Sequence, residues 1–188
     1  MEISDHELMR RIKDGDVPAF DVLVRRWEHR LYNVVYKIIY DIETTRDLCQ
    51  EIFLQVYKSA KKYKPTAQFE TWLYRIAINS SINELRKQKR YQMYSLDNQD
   101  DAQISLDDIM IDRNLKPDEI VQQDEMALCI QNAIAKLPAD QRIVVTLRHY
   151  EGLKYQQIAE ILNCPLGTVK SRMYSAIEQL RTLLKHIV

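Results

Sequence analysis

An all-α fold, two small helical bundles joined by an acidic linker, is what this 188-residue sequence predicts. Apolar residues recur at helical spacing through most of the chain. Three glycines and five prolines are too few for the many turns of a β fold. From residue 91 to Pro117 the periodicity gives way to an acidic, polar stretch. The expected division is a first lobe over residues 1–92, a flexible acidic linker over 93–117 and a second lobe over 118–188.

In the first lobe, Ser4 and Glu7 form a capping box that opens a helix ending near Gly15. Asp16 caps a second helix with Pro18 in its first turn; its apolar stripe runs through Phe20, Leu23, Val24, Trp27, Leu31, Val34, Val35 and Ile38. A third helix is expected over residues 43–63, with Leu48, Ile52, Val56 and Ala60 spaced four apart. Lys64, Pro65 and Thr66 interrupt it. A fourth is expected over residues 69–89, with Leu73, Ile76, Ala77 and Leu85 facing inward.

In the second lobe, helices are expected over residues 118–136 and 138–150, followed by a helix-turn-helix over 155–184. Tyr155, Ile158, Ala159 and Leu162 make the stripe of its first helix; Asn163, Cys164 and Pro165 break it, because Asn tolerates left-handed backbone and Pro cannot continue a helix. Val169, Met173, Ile177, Leu180 and Leu184 make the inward stripe of the second helix. Ala159 is small where the two helices cross, and Gly167 is expected where the second begins against the first. The outward face carries Thr168, Lys170, Ser171, Arg172, Tyr174 and Ser175, the short donors and basic side chains that a recognition helix presents to a major groove. Any two helices joined at a proline corner share the bare pattern, so this element alone leaves both readings open.

Charge separates the parts further. Net charge is zero, yet residues 60–91 carry 8 Lys/Arg against 2 Asp/Glu, and residues 128–188 carry 8 against 4. Residues 92–127 carry 2 against 10. A phosphate backbone senses charge within about 8–10 Å, so two basic lobes flanking an acidic spacer are compatible with a polyanionic partner. Along the fourth helix, Trp72, Arg75, Asn79, Asn83, Arg86 and Arg90 share a face, preceded by Lys61, Lys62 and Lys64. An indole, amides and guanidiniums on one face can stack bases and hold the phosphates of a single strand; the alternative is a solvated face with Trp72 in the core. On the third helix, Arg46, Asp47, Gln50, Glu51, Leu54 and Gln55 lie off the internal stripe beside Phe53, a face suited to docking a protein or simply to solvent.

Catalytic patterns are missing: no P-loop, GxSxG, HExxH or Cys/His pair stands within local reach. Neither a cofactor nor a metal is expected. Cys49, Cys129 and Cys164 are far apart; Cys49 and Cys129 read as small apolar residues, while Cys164, in the turn, leaves a redox role open. No apolar run approaches the length of a membrane span and residues 1–10 lack a signal-peptide core, so the cytoplasm is the expected location.

Four segments carry a family resemblance: DLCQEIFLQVYKS from Asp47, FETWLYRIAINSSINELRK from Phe69, LPADQRIVVTLRHYEGLKYQQIAEIL from Leu137 and CPLGTVKSR from Cys164. In this order and separation they resemble bacterial extracytoplasmic-function (ECF) sigma factors, over both lobes but not the linker. The resemblance implies a dissociable subunit of RNA polymerase: region 2 in the first lobe, region 4 in the second, and no small-molecule substrate. Asp47, Gln50, Glu51, Phe53 and Leu54 would face the polymerase clamp helices. Lys61, Lys62, Lys64, Phe69, Trp72, Arg75 and Asn79 would hold the minus-ten non-template strand. Thr168, Lys170, Ser171, Arg172, Tyr174 and Ser175 would read or clamp the minus-thirty-five duplex; many relatives carry a basic residue where this chain has Ser175. The second lobe would also bind the polymerase flap, and the linker would run through the active-site cleft. The resemblance further implies an anti-sigma partner, often membrane-anchored.

Two other readings stay in view. A stand-alone regulator would usually dimerise and shift promoter DNA unaided, whereas a sigma factor should be monomeric, bind free DNA poorly and accompany core polymerase. An enzyme with an unrecognised active site is the third.

Overall fold

The computed structural model describes residues 3–65, 68–96 and 125–185. The expected linker lies outside the described residues from position 97 onward, as do Thr66 and Ala67.

Helix α1 (Asp5–Lys13) begins as its sequence dictates: the Ser4 hydroxyl accepts from the Glu7 N–H at 3.3 Å. Gly15, at φ +92°, lets the chain leave it in the left-handed region. Helix α2 (Val17–Ile39) is capped by the Asp16 carboxylate, which accepts from Ala19 N–H at 3.1 Å, with Pro18 in the first turn where its missing N–H costs nothing. Helix α3 (Ile42–Ser59) is capped by Asp41, which accepts from Thr44 N–H at 2.7 Å. It is shorter than the spacing predicts: a 3-10 turn, Ala60–Lys62, replaces its last turn ahead of Lys64, which Pro65 disfavours as helix. Helix α4 (Phe69–Leu96) runs seven residues past its expected end at 89, into the segment expected as linker. No glycine or proline interrupts residues 69–96, and a Glu84–Lys87 pair at 3.6 Å lies along it.

α2, α3 and α4 pack pairwise, and α1 lies across α2. Their shared core contains Leu8, Leu23, Leu31, Ile38, Ile52, Leu73 and Ile78, all buried. Each such side chain contributes about 1.5–3 kcal/mol of burial free energy.

In the second lobe, α5 (Glu125–Ala135) precedes α6 (Ala139–Val145), and a π turn, Thr146–Tyr150, replaces the end of the longer helix expected there. Gly152, at φ +69°, then turns the chain into α7 (Tyr155–Leu162), and α8 (Leu166–Leu184) follows. Asn163 sits at φ 48°, the left-handed cap the sequence predicts. Ile143, Leu147, Ile158, Ile161 and Val169 form the buried centre. Two expectations fail here. Ala176 is buried and Ile177 is 43 % exposed, so the inward stripe passes through the smaller neighbour. Gly167 is exposed with nothing near the position a Cβ would take, so it is not a close-packing residue.

The two lobes touch, α7 against α4 and α6 with its π turn against α2. Tyr74 of α4 donates to the Glu151 carboxylate, and Arg30 of α2 bonds both Glu151, at 3.1 Å, and Glu70, at 2.8 Å. Lys37 stacks over the Tyr150 ring at 4.6 Å and Arg142 over Tyr40 at 5.5 Å. The Tyr40 hydroxyl reaches the Gln131 carbonyl at 3.5 Å.

Candidate nucleic-acid interface

Helix α8 builds the first candidate surface. Val169, Met173 and Ala176 are buried against the lobe, which turns Lys170, Ser171, Tyr174 and Ser175 to solvent; Tyr174 is 69 % exposed. Thr168 is half-buried on the first turn. That turn carries no acidic residue, so the N-terminal partial positive charge of the helix is left for an anion. Two of the predicted side chains are already engaged. The Ser171 hydroxyl donates to the Thr168 carbonyl at 3.0 Å, keeping its oxygen lone pairs as acceptors. Arg172 is half-buried, with Nε 3.2 Å from the Asp140 carboxylate of α6. The face therefore offers the exposed ammonium of Lys170, short hydroxyls and an exposed phenol, with Arg172 held in place from behind.

Helix α4 and the segment before it build the second. Lys61, Lys62 and Lys64 are exposed, as are Arg75 and Asn79. Trp72 is half-buried: Tyr63 meets it edge-on at 4.8 Å and Phe69 at 5.6 Å. Phe69 departs from its expected role. It is 4 % exposed, wedged among Trp27, Tyr63 and Trp72, and so supports the Trp72 indole instead of offering a face to a base. Tyr63, which the sequence reading passed over, completes this aromatic group and bonds His6 at 2.7 Å. Burial pushes its phenol up to about 12. Its position between a lysine pair and Lys64 was the available signal.

The same stretch is also met by the second lobe. Arg75 donates to the Glu160 carbonyl of α7 at 2.8 Å, and Gln157 of α7 donates to Gln68 at 3.2 Å. Close by, burial works against the charge of Arg30, but Tyr74, Glu70 and Glu151 outweigh it and raise its pKa. Burial lowers that of Lys37.

The third surface is α3. Asp47, Gln50, Glu51 and Leu54 are exposed, Leu54 at 53 %, while Phe53 is half-buried against the core. Tyr57, 40 % exposed and edge-on to Phe20 at 5.1 Å, extends the apolar part and was not singled out from sequence. The face thus mixes carboxylates with apolar groups, as docking surfaces do. Cys49 lies behind it, its thiol pushed up to about 12 by burial, which keeps it protonated and inert.

Among the described residues no group of three or more His, Cys, Asp or Glu side chains could hold a metal ion, and no helix is long and apolar enough to cross a membrane.

Comparison with known proteins gives concordant results. The family described as Sigma-70 region 2 matches residues 23–91, and Sigma-70, region 4 matches residues 127–180. The RNA polymerase sigma-H factor of Pseudomonas aeruginosa is 33% identical over 184 residues, covering 98% of this chain and 95% of that protein. The ECF RNA polymerase sigma-E factor of Escherichia coli (strain K12) is 30% identical over 187 residues, covering 100% and 97%. Among solved structures, CnrH in complex with the cytosolic domain of CnrY superposes with a TM-score of 0.66 at 20% identity, covering 97% of both chains. The sigma factor RpoE of Bartonella quintana, in complex with the anti-sigma factor NepR, gives 0.65 at 22% identity, covering 88% and 96%; both likenesses establish the fold.

Proposed function

We infer, from the premise that this chain belongs to the ECF sigma factors, how its two lobes divide the work of promoter recognition. It is an initiation factor, not an enzyme: it binds core RNA polymerase and directs it to promoter DNA. The observation that carries the division is the α8 face, where Lys170, Ser171, Tyr174 and Ser175 point outward because Val169, Met173 and Ala176 point in.

In this reading α8 enters the major groove at the minus-thirty-five element. Lys170 and the first-turn N–H groups hold phosphate, while Tyr174 and the hydroxyls meet base edges. Arg172, braced by Asp140, clamps the backbone. The α4 face with Trp72, Arg75 and Asn79, and the lysines at 61, 62 and 64, hold the melted minus-ten strand, where stacking is worth about 1–3 kcal/mol per base. Capture of one base out of the stack costs a few kcal/mol, offset by contacts in its pocket. The α3 face, Asp47, Gln50, Glu51, Phe53 and Leu54, docks the polymerase clamp helices, and the second lobe docks the flap. The segment that follows α4 and leads to α5 is the tether. One solved neighbour, the sigma factor RpoE of Bartonella quintana, is in complex with the anti-sigma factor NepR, which supports an anti-sigma protein as the control on this chain as well. The place of action is the cytoplasm, with the polymerase.

Run-off transcription tests the reading: core polymerase on a genomic fragment library, with and without the chain. The expected result is new start sites sharing two upstream elements. Unaltered initiation, or a dimer that shifts promoter DNA without polymerase, would overturn it.

A further inference from the structure

Trp72, the indole assigned above to the minus-ten strand, is walled by two rings of unequal firmness. Phe69 is buried against Trp27, so the wall it gives Trp72 belongs to the core. Tyr63 gives the other wall, edge-on with its centroid 4.8 Å from the indole. It is half-buried and stands where regular structure ends. Its N–H closes the 3-10 turn on the Ala60 carbonyl at 3.2 Å, and its own backbone is extended ahead of Lys64 and Pro65. Local backbone bonding therefore leaves the direction of this ring open.

Helix α1 supplies what the turn does not. Among the described residues, the Tyr63 hydroxyl bonds His6, at 2.7 Å from Nδ1, and the two rings lie 26° from parallel with centroids 5.9 Å apart. Burial, reinforced by the Asp5 carboxylate, keeps the phenol protonated. The phenol donates and Nδ1 accepts, which leaves the proton of the neutral imidazole on Nε2.

His6 itself stands on a fixed base. Ser4 caps the helix, Asp5 pairs with Arg26 of α2, and Leu8, Met9 and Ile12 are buried beneath. α1 also packs against the 3-10 turn. An exposed histidine on such a base adds nothing to the core, but it can fix the tip of a ring at the surface. That matters for stacking, because every side chain still to be ordered when the strand arrives lowers affinity.

We propose that His6 is a positioning residue of the minus-ten surface: by holding the Tyr63 hydroxyl it fixes the second wall of Trp72 and presets the indole for a base. This brings α1, which carries none of the strand-binding residues assigned above, into strand recognition. It rests on the minus-ten role given to Trp72 under the proposed function.

The test compares wild type with His6→Ala, Tyr63→Phe, the two combined, His6→Asn and Trp72→Ala. Each is assembled with core polymerase, and fluorescence anisotropy measures binding to two oligonucleotides of a promoter found by run-off transcription. One is the single-stranded minus-ten non-template strand, the other the minus-thirty-five duplex. NMR of the free chain follows its two indole N–H signals, from Trp27 and Trp72. His6→Ala and Tyr63→Phe should each weaken strand binding about 2- to 12-fold, the cost of ordering one side chain, with duplex binding unchanged. The double variant should be no worse than either. His6→Asn, whose amide oxygen can stand in for Nδ1, should restore most of the loss. Both single variants should shift the Trp72 signal.

Wild-type strand binding by both His6→Ala and Tyr63→Phe overturns the proposal. So do additive losses, which would make His6 a separate contact to the strand, and an unmoved Trp72 signal. Wild-type strand binding by Trp72→Ala overturns the stacking role of Trp72 instead, while the indole signal still decides whether His6 positions it.

Discussion

The Tyr74 phenol and the Glu151 carboxylate, 77 residues apart in sequence, share a hydrogen bond that crosses from one lobe to the other. Tyr74 is fully buried among Trp27 and the α4 core, so its hydroxyl has been withdrawn from water and depends on this one acceptor. A hydrogen bond to a charged group is worth about 1.5–3 kcal/mol, and Tyr74→Phe deletes it while keeping the ring. Tyr74→Phe should therefore lower the unfolding free energy obtained from urea denaturation by that order. Because Arg30 bonds the same carboxylate, Tyr74→Phe and Arg30→Ala should be non-additive, with a coupling of about 0.5–3 kcal/mol in a double-mutant cycle. Strict additivity would show that Glu151 does not join the two.

The interface tyrosines make stability depend on alkaline pH. Burial pushes Tyr40 up to about 12 from 10.0; burial and the Glu151 bond push Tyr74 up as well. Cys49 is likewise pushed up, from 9.0 to about 12. In each case the folded pKa lies above the unfolded one, so the stabilising preference is complete below the unfolded value and is lost as pH rises through the folded one. The urea midpoint should be flat up to about pH 8 and fall from about 9, where the Cys49 thiol of the unfolded chain ionises, to about 12. Tyrosinate absorbance of the native chain, which has 11 tyrosines, should show a group that ionises only on unfolding. One smooth titration of all of them near the ordinary value would remove the buried set.

Much of each lobe was legible because helix period and capping are local. Ser4, Asp16 and Asn163 act where their types predict, and Leu23, Leu31, Ile52 and Ile158 face inward by spacing alone. What escaped depends on distance or on competition. Phe69 is drawn into the core by ring contacts with Trp27 and Tyr63, which no local period encodes. Ile177 yields its place to Ala176, which stands seven residues after Val169 and so shares its buried side of α8. The Arg30–Glu151 pair joins positions 121 residues apart, so charge counts saw two basic lobes and not a contact between them. The exposed faces of α3, α4 and α8 were recognisable from residue type, whereas the engagement of Arg75 by α7 was not.

On α8, Lys170 is exposed, whereas Arg172 is tied to Asp140. Lys170→Ala should weaken holoenzyme binding to different promoters about equally and reduce the salt slope by about one. Filter binding across a salt series measures this. A loss confined to one sequence would make Lys170 a base reader instead.

On α3, Glu51 is exposed beside Leu54 and away from the buried stripe of Leu48, Ile52 and Val56. Glu51→Lys should leave the fold intact and weaken assembly with core polymerase by about 1–3 kcal/mol, the range for a polar group at the centre of an interface. Competition against an unmodified chain for limiting core polymerase gives the ratio directly. Equal competition would mean that this face is solvated in the holoenzyme.

On α4, Asn79 is exposed one turn beyond Arg75, off the buried side formed by Leu73, Ala77 and Ile78. Its amide can both donate and accept, which suits the Watson–Crick edge of an unpaired base and is of no use to a paired one. Asn79→Ala should therefore leave polymerase binding and duplex recognition unchanged and slow strand opening. The loss of one bidentate base contact, about 1–3 kcal/mol, corresponds to roughly 5- to 150-fold in the open-complex equilibrium. Permanganate footprinting of unpaired thymines, beside a competition assay for core polymerase, separates the two steps. Normal melting in the variant would take Asn79 out of the strand-binding surface, leaving Trp72 and the lysines at 61, 62 and 64 to hold the strand through stacking and charge alone.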